Sequence, residues 1–402
     1  MPPQFKVLIG ESGSGYGGTA KYLSLLLPYF RDSNFEIEVA ADRLGPFIQE
    51  IKSQGGTVHH VPGWRFPWTP LETKQWTGIL GRASYLVCSF FQFLVMVPWI
   101  ALWLLGHKIQ IVHLNNEISS HFILIHAAKL AACKVVVHFH GWRSLTNLEK
   151  WAAQFADEYV SVTRAGAEFY SKELRGHKVR GIVNGLIADH DIADNKERRY
   201  QFRKSLGLGG NSFLITLIGR LIPLKGHTVF IEAFSLALKS NPELMGLIVG
   251  TDDAPGQTYK AMLVEQIKKM GLEAQIQFQD WQNDLNTVYS GSDLIIQPSV
   301  RPESFGLVLL EAMSHGKPVI ATRLGGFQDV VQDGVTGLLV EPNHPSQLAD
   351  AILKIAGDKV LARNMGEIGQ KRALEEFRME ENAKQILSLY QNLMNHRGEN
   401  GW

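Results

Sequence analysis

Apolar residues fall along this chain in short runs of four to six, rich in Val, Ile and Leu and bounded by Gly, Asp or Asn. Runs of that kind read as strands buried on both faces of a parallel sheet. They predict strands at Phe5–Gly10, Glu36–Ala41, Ile109–Leu114, Lys134–His140 and Tyr159–Thr163, and again at Phe213–Gly219, Gly246–Gly250, Gln275–Gln279, Leu294–Pro298, Lys317–Ala321 and Gly337–Val340. Helical spacing between them predicts helices that include Thr19–Phe30, Thr228–Lys239, Gln257–Met270 and Leu307–Ser314. Strands alternating with helices predict an α/β protein with right-handed crossovers. The pattern runs twice, and a polar, charged, Gly-rich segment near residues 186–200 interrupts it. The expected architecture is two Rossmann-like domains facing a cleft: residues 1–190, residues 191–375, and a C-terminal helix over 376–402 packing back toward the first domain. Ligands of open parallel sheets bind beyond the carboxyl ends of the strands, so the loops there are where chemistry is expected.

One stretch departs from the rhythm. From Ala83 to Gly106 there is no charged residue in 24 positions. Its length alone would suffice for a membrane span. Gln92 and Pro98 interrupt it, and strands of one sheet flank it, so it is expected to be a core helix of the first domain that is partly exposed. Just before it come Trp64, Phe66, Trp68 and Trp76, with Arg65, Lys74 and Arg82 among them. Aromatics interleaved with cations suit a membrane interface or an acceptor site. Residues 64–106 are therefore expected to make peripheral membrane contact, with a buried helix and an oligomer interface as the other readings.

Composition narrows the class. Hydrophobic residues make up 45% of the chain and charged residues 20%, enough apolar material for two cores. Lys+Arg is 40 against Asp+Glu 39, so no nucleic-acid partner is implied. Cys88 and Cys133 both lie in apolar runs without metal-ligand spacing, which fits a reducing, cytoplasmic compartment. The start, MPPQFKVLIG, enters a strand at once and is not expected to be a signal peptide.

Three places carry candidate chemistry. After the first strand, Gly13, Gly15 and Gly18 match G-x-G-x-x-G, but Glu11 and Ser12 intervene where the first glycine should close the strand. Close approach of backbone to an anionic or sugar ligand is the leading reading of this loop, ahead of a plain turn and of dinucleotide binding. In the second half, Arg220 ends an apolar strand and Lys225 stands just before a helix. A cation opposes the macrodipole there unless an anion joins it, so the two could clamp a diphosphate or could be ordinary surface cations. Glu303 and Glu311 flank a Phe–Gly turn. Backbone N–H groups of Phe305, Gly306 and Leu307 would point outward at the helix start. A carboxylate at 311, inside an apolar helical run, needs a buried partner, and a ribose diol is a natural one. Asp252 and Asp253 are expected to be solvated loop residues.

These residues make the chain recognisable. GRLIPLKG, the pair Glu303 and Glu311, and ESFGLVLLEAMSHGKPVIATRLGGFQDVVQDGVTGLLVEP strongly resemble the nucleotide-sugar-binding half of the family 4 glycosyltransferases, the retaining group 1 enzymes of GT-B fold. GYGGTAKY, VVVHFHG and VNG resemble the acceptor-binding half more loosely. The resemblance implies transfer of a sugar from a nucleotide diphosphate sugar, UDP-linked by default, to a hydroxyl of a glycan or lipid-linked acceptor, with retention and without a metal or other cofactor. It implies that Arg220 and Lys225 hold the diphosphate, that Glu311 holds the ribose and that Glu303 faces the donor sugar. Phe305, Gly306 and Leu307 supply backbone contacts, and Gly17 and Gly18 lie beside the diphosphate. His140 is the histidine implied at the reaction centre, and His138 is expected on the other face of that strand as a packed residue. A non-hydrolysing nucleotide-sugar epimerase and an NAD-dependent oxidoreductase are the rival readings. A role in cell-surface polysaccharide or glycolipid synthesis, on the inner face of the cytoplasmic membrane, follows from the family and the apolar stretch together.

Overall fold

The computed structural model describes residues 5–11, 18–41, 46–61, 79–186, 196–252, 256–282 and 284–395. The chain divides into two compact units, Met1–Gly185 with Met379–Trp402, and Leu186–Arg378.

The first unit is built on β1 (Phe5–Glu11), β2 (Phe35–Ala41), β3 (Thr57–His60), β4 (Ile111–Leu114), β5 (Lys134–Phe139), β6 (Glu158–Ser161) and β7 (Val179–Gly181). They form one parallel sheet in the order β3-β2-β1-β4-β5-β6-β7. Val7 pairs with Ile37 on one side and Ile111 on the other, so β1 meets both neighbours with apolar residues at this position. Two strands have no counterpart in the apolar runs. Thr57–His60 is a polar edge strand, and Val179–Gly181 is only three residues long. Helices cover both faces of the sheet, and each face has its own apolar cluster. The C-terminal helix, Met379–Asn395, supplies Met379, Ile386, Leu389, Tyr390, Leu393 and Met394 to the cluster that also holds Val7, Tyr22 and Val136.

The apolar stretch is one helix, Ile79–Gly106. Its buried side, Val97, Ile100, Ala101 and Leu104, packs with the helix Phe122–Leu130 in the opposite cluster. Its other side exposes Phe90, Phe91, Leu94, Val95, Trp99, Leu102 and Leu105. The portion Cys88–Gly106 has a mean hydropathy of 1.9 and is long enough to cross a membrane, with 28% of it buried.

The second unit is built on β8 (Phe213–Ile218), β9 (Leu244–Val249), β10 (Ile276–Gln279), β11 (Leu294–Gln297), β12 (Val319–Thr322) and β13 (Gly337–Val340). Their order is β10-β9-β8-β11-β12-β13, again all parallel. β8 therefore sits where the chain reverses its direction of travel across the sheet, which is where such sheets open a crevice at the strand ends. Asp252 corrects an expectation: it is 8% exposed, not solvated. Its carboxylate accepts from the backbone N–H groups of Tyr259 and Lys260, both at 2.9 Å, and so caps the helix Thr258–Lys269.

Ile386 is fully buried on the sheet-facing side of the C-terminal helix. Ile386→Ala should cost about 2–5 kcal/mol, since the cavity would open inside a packed core. Urea unfolding followed by circular dichroism measures this; a loss below about 0.5 kcal/mol would mean the helix is not docked there.

Candidate active site

In the second unit the loops after β8 and β11 are locked together. Gly219 and Arg220 leave β8, and a short 3-10 turn, Pro223–Lys225, leads to Gly226 and the helix His227–Leu238. Gly226 has φ +73°, and a Cβ there would lie 1.9 Å from the Pro298 carbonyl oxygen. Only glycine lets the turn approach the end of β11 so closely. The Val300 N–H donates to the Leu224 carbonyl at 2.9 Å and ties the two loops again.

That approach sets the main polar contact. The Lys225 ammonium reaches both oxygens of Glu303, at 2.7 and 2.8 Å. The buried Ser299 hydroxyl donates to the same carboxylate at 2.7 Å. Lys225 and Glu303, 19% and 22% exposed, thus neutralise each other at the strand ends. Arg220 is exposed, and no described side chain takes its charge.

After Glu303 the chain turns through Phe305, which is buried, and Gly306, at φ +106°, into the helix Leu307–Ser314. No side chain caps this helix start. A Cβ on Gly306 would strike the Phe327 ring at 2.7 Å, so this turn too requires glycine. Glu311 is half-buried and accepts a 2.6 Å hydrogen bond from the Tyr289 hydroxyl, a partner with no signal of its own in the sequence. Burial, and then the neighbouring Glu311 carboxylate, hold the Tyr289 phenol in its protonated form. The arrangement at the ends of β8 and β11 is, among the described residues, a guanidinium without a partner, a paired ammonium, a helix start with no capping side chain and two anchored carboxylates. It can take an anion at the cations and polyol hydroxyls at the carboxylates.

In the first unit, His140 follows β5 and is 7% exposed. His138 is fully buried beside it, with the two rings 4.3 Å apart. The expectation that they occupy opposite faces is wrong: residues two apart in a strand share a face, and Phe139 between them points away onto Tyr170. Tyr22 closes the group, its ring 5.1 Å from His140. The loop after His140 is fixed by Arg143, whose guanidinium binds Glu117 at 2.7 Å as well as Glu149 and Ser119. Glu11, buried at the end of β1, accepts from the Asn115 amide at 2.7 Å. Gly18 opens the helix Gly18–Leu26, whereas Gly13, Gly15 and Gly17 lie outside the described residues, as do Arg65, Lys74, Trp64, Phe66, Trp68, Trp76 and Asp253.

Comparison with known proteins gives this geometry a context. A family model described as "Glycosyl transferases group 1" matches residues 198–372, and one described as "Glycosyltransferase Family 4" matches residues 16–190. D-inositol 3-phosphate glycosyltransferase of Corynebacterium urealyticum is 33% identical over 244 residues, 59% of this chain and 57% of that protein. The chain spans about half the length of the corynebacterial relatives of that name that it matches. UDP-Gal:alpha-D-GlcNAc-diphosphoundecaprenol alpha-1,3-galactosyltransferase of Escherichia coli is 29% identical over 300 residues, 70% of this chain and 75% of that protein. Among solved structures, Anabaena HepE in complex with UDP superposes with a TM-score of 0.80 over 97% of this chain and 100% of that one, at 22% identity.

The histidine group makes stability depend on pH. Burial, and then the neighbouring imidazoles, lower His113 and His140 to about 3 and His138 well below its usual value. Above the ordinary value near 6.5 these residues are neutral in both folded and unfolded chains. As pH falls below 6.5 the unfolded chain takes up protons that the folded one refuses, so stability drops. The expected slope is about 1.4 kcal/mol per pH unit for each such histidine. Urea midpoints measured between pH 7.5 and 5 test this. A flat profile would mean that the folded protein already carries charge on these rings.

Proposed function

We propose that this chain, which belongs to the family 4, group 1 glycosyltransferases of GT-B fold, moves a sugar from a UDP-linked donor to a hydroxyl of a glycan or lipid-linked acceptor, with retention at the anomeric carbon. The observation that carries the reading is the set of groups at the ends of β8 and β11. Arg220 and Lys225 stand together there with an uncapped helix start. The second unit is the donor-binding half in this reading. Arg220, Lys225 and the N–H groups of Phe305, Gly306 and Leu307 take the diphosphate, Glu311 takes the ribose diol and Glu303 takes hydroxyls of the transferred sugar. Two relatives support the choice of substrates by their names: HepE is described with UDP, and the E. coli relative is named for a UDP-galactose donor and a diphosphoundecaprenol acceptor.

The chemistry follows from the charges. As the glycosidic bond breaks, negative charge grows on the β-phosphate. Arg220 and Lys225 stabilise it there more than in the ground state, which is what accelerates the step. Lys225 then turns from Glu303 alone to a position between carboxylate and phosphate. The departing phosphate oxygen takes the proton of the attacking acceptor hydroxyl on the same face, which gives retention. His140, neutral through burial, contacts the transferring sugar as a hydrogen-bonding group rather than as a cation. Two cations and a helix start supply the positive charge that a metal would otherwise bring, so turnover should resist chelators.

Lys225→Ala should lower turnover about 10²–10³-fold while the unit stays folded. In the wild type, UDP at about a hundredfold its Kd should add roughly 2.7 kcal/mol to unfolding, and the variant should lose most of that. Thermal shifts with UDP, GDP, ADP and NAD measure this. A shift with NAD alone would overturn the reading, and a shift with GDP or ADP would replace the base.

The helix Ile79–Gly106 supports a second part of the reading: peripheral contact with the inner face of the cytoplasmic membrane, where a lipid-linked acceptor is found. Its outer side places Phe91, Leu94, Val95, Trp99, Leu102 and Leu105 in solvent with no acidic residue among them. Such a side buries itself at an interface. The protein should float with vesicles of mixed neutral and anionic phospholipid, and Leu94→Glu with Leu102→Glu should abolish flotation at unchanged Tm. Wild-type protein that stays in the soluble fraction at every lipid concentration would remove the membrane from the account.

A further inference from the structure

We propose that the C-terminal helix, Met379–Asn395, orients His140, and that Tyr390 and Asn382 are positioning residues for it. The proposal rests on the reading of His140 given above.

Two separate chains of contacts run from this helix to the two rings that flank His140. The first starts at Tyr390, whose hydroxyl lies 2.6 Å from His113 Nδ1. His113 Nε2 lies 3.1 Å from His138 Nδ1, and the His138 ring packs 4.3 Å from that of His140. The second starts at Asn382, about two turns earlier on the helix. Its side-chain oxygen accepts from the Tyr22 hydroxyl at 2.8 Å, and its NH2 donates to the Val183 carbonyl at 2.6 Å. The Tyr22 ring packs 5.1 Å from His140 and 5.8 Å from His138.

The first chain can run in two directions, and the proposal takes one of them. Among the described residues His113 is the hydrogen-bond partner of the Tyr390 hydroxyl. The reverse direction would leave the hydrogen of the buried phenol without a described partner; in the direction proposed, Tyr390 donates and His113 Nδ1 accepts. The proton of neutral His113 is then on Nε2 and is donated to His138 Nδ1. The proton of His138 is in turn on Nε2, a buried nitrogen that also has no described partner. In this direction each imidazole has one tautomer, set by the hydroxyl of Tyr390. The second chain has one direction, because the Val183 carbonyl can only accept, which sets the amide of Asn382. His140 thus packs against two rings that are each tied to the C-terminal helix. Its own Nε2 is buried and has no described partner, so the ring keeps a hydrogen-bonding nitrogen for substrate.

Docking the helix does not require any of this. Ile386, Leu389, Leu393 and Met394 already bury its apolar side, and a phenylalanine at 390 would pack as a tyrosine does. A polar network at 0–2% exposure is worth its desolvation where it selects one arrangement of side chains.

Tyr390→Phe removes the hydroxyl and keeps the ring; Leu393→Ala perturbs the packing of the same helix and nothing else. Release of UDP from UDP-glucose, UDP-galactose and UDP-N-acetylglucosamine, with water as acceptor, reads the reaction, and Tm reads the fold. Tyr390→Phe should lower kcat about tenfold at unchanged KM with little change in Tm. Leu393→Ala should lower Tm and leave kcat within about twofold of wild type. Long-range proton–nitrogen NMR of histidine-labelled protein at pH 7 should show His113 and His138 protonated on Nε2 alone, and His113 as a tautomer mixture in Tyr390→Phe. Wild-type His113 protonated on Nδ1, or equal kcat losses in the two variants, would overturn the proposal. His140→Ala at wild-type rate would instead overturn the reading of His140, and the NMR result would still stand or fall on its own.

Discussion

The pair between Lys225 and Glu303 is the contact around which the strand ends of the second unit are arranged. A lysine held near the positive end of a helix, at a site that is mostly closed to water, is costly without an anion. Glu303 is that anion in the free protein, and Ser299 fixes the carboxylate in turn. The backbone is arranged around this contact. Gly226 brings the first loop against the end of β11, and Thr322 donates to the Ser299 carbonyl at 2.8 Å, so β12 braces the same point. In the proposed reading, a phosphate arriving beside Lys225 meets an ammonium already in place, and folding supplies the order that catalysis needs.

The two units divide the electrostatic work. The second gathers charged groups at its strand ends, Arg220, Lys225, Glu303 and Glu311. The first gathers neutral polar ones, His113, His138, His140, Tyr22, Tyr390 and Asn382, and burial keeps the imidazoles neutral. The division suits a transfer in which the donor's leaving group is anionic and the acceptor is an uncharged hydroxyl. A cationic imidazole would compete with Arg220 and Lys225 for the phosphate, whereas a neutral one can hold a sugar hydroxyl without doing so.

What the sequence showed and what it hid have a common physical cause. Strands buried on both faces announce themselves by unbroken Val, Ile and Leu, and every such run became a strand within a residue or two at each end. The edge strand Thr57–His60 has one exposed side and polar residues on it, and Val179–Gly181 is too short to carry a pattern. At the site, Lys225 stood out because a cation preceded a helix, and Glu311 because a carboxylate interrupted an apolar run. Their partners did not stand out. Lys225 and Glu303 are 78 residues apart, and Tyr390 and His113 are 277 apart. No local rule connects such positions, and only the register of the sheet and the return of the last helix bring them together. The misplacement of His138 was of a different kind, since the period of a strand already puts residues 138 and 140 on one side.

The helix Ile79–Gly106 shows where composition stops being informative. Its hydropathy is nearly the same all round, so amphipathicity cannot tell its inner side from its outer side. The structure separates them by burial: Val97, Ile100, Ala101 and Leu104 recur at helical spacing against the sheet, and Leu94, Trp99, Leu102 and Leu105 recur on the side away from it. A helix that is docked along one side to a seven-stranded sheet cannot also cross a bilayer without pulling its strands' connections in after it. The docked side thus argues against a span, and the bare side argues against a helix meant only for the core. In the proposed reading the helix lies along an interface, with one side in the protein and the other in lipid, so that neither side is left in water.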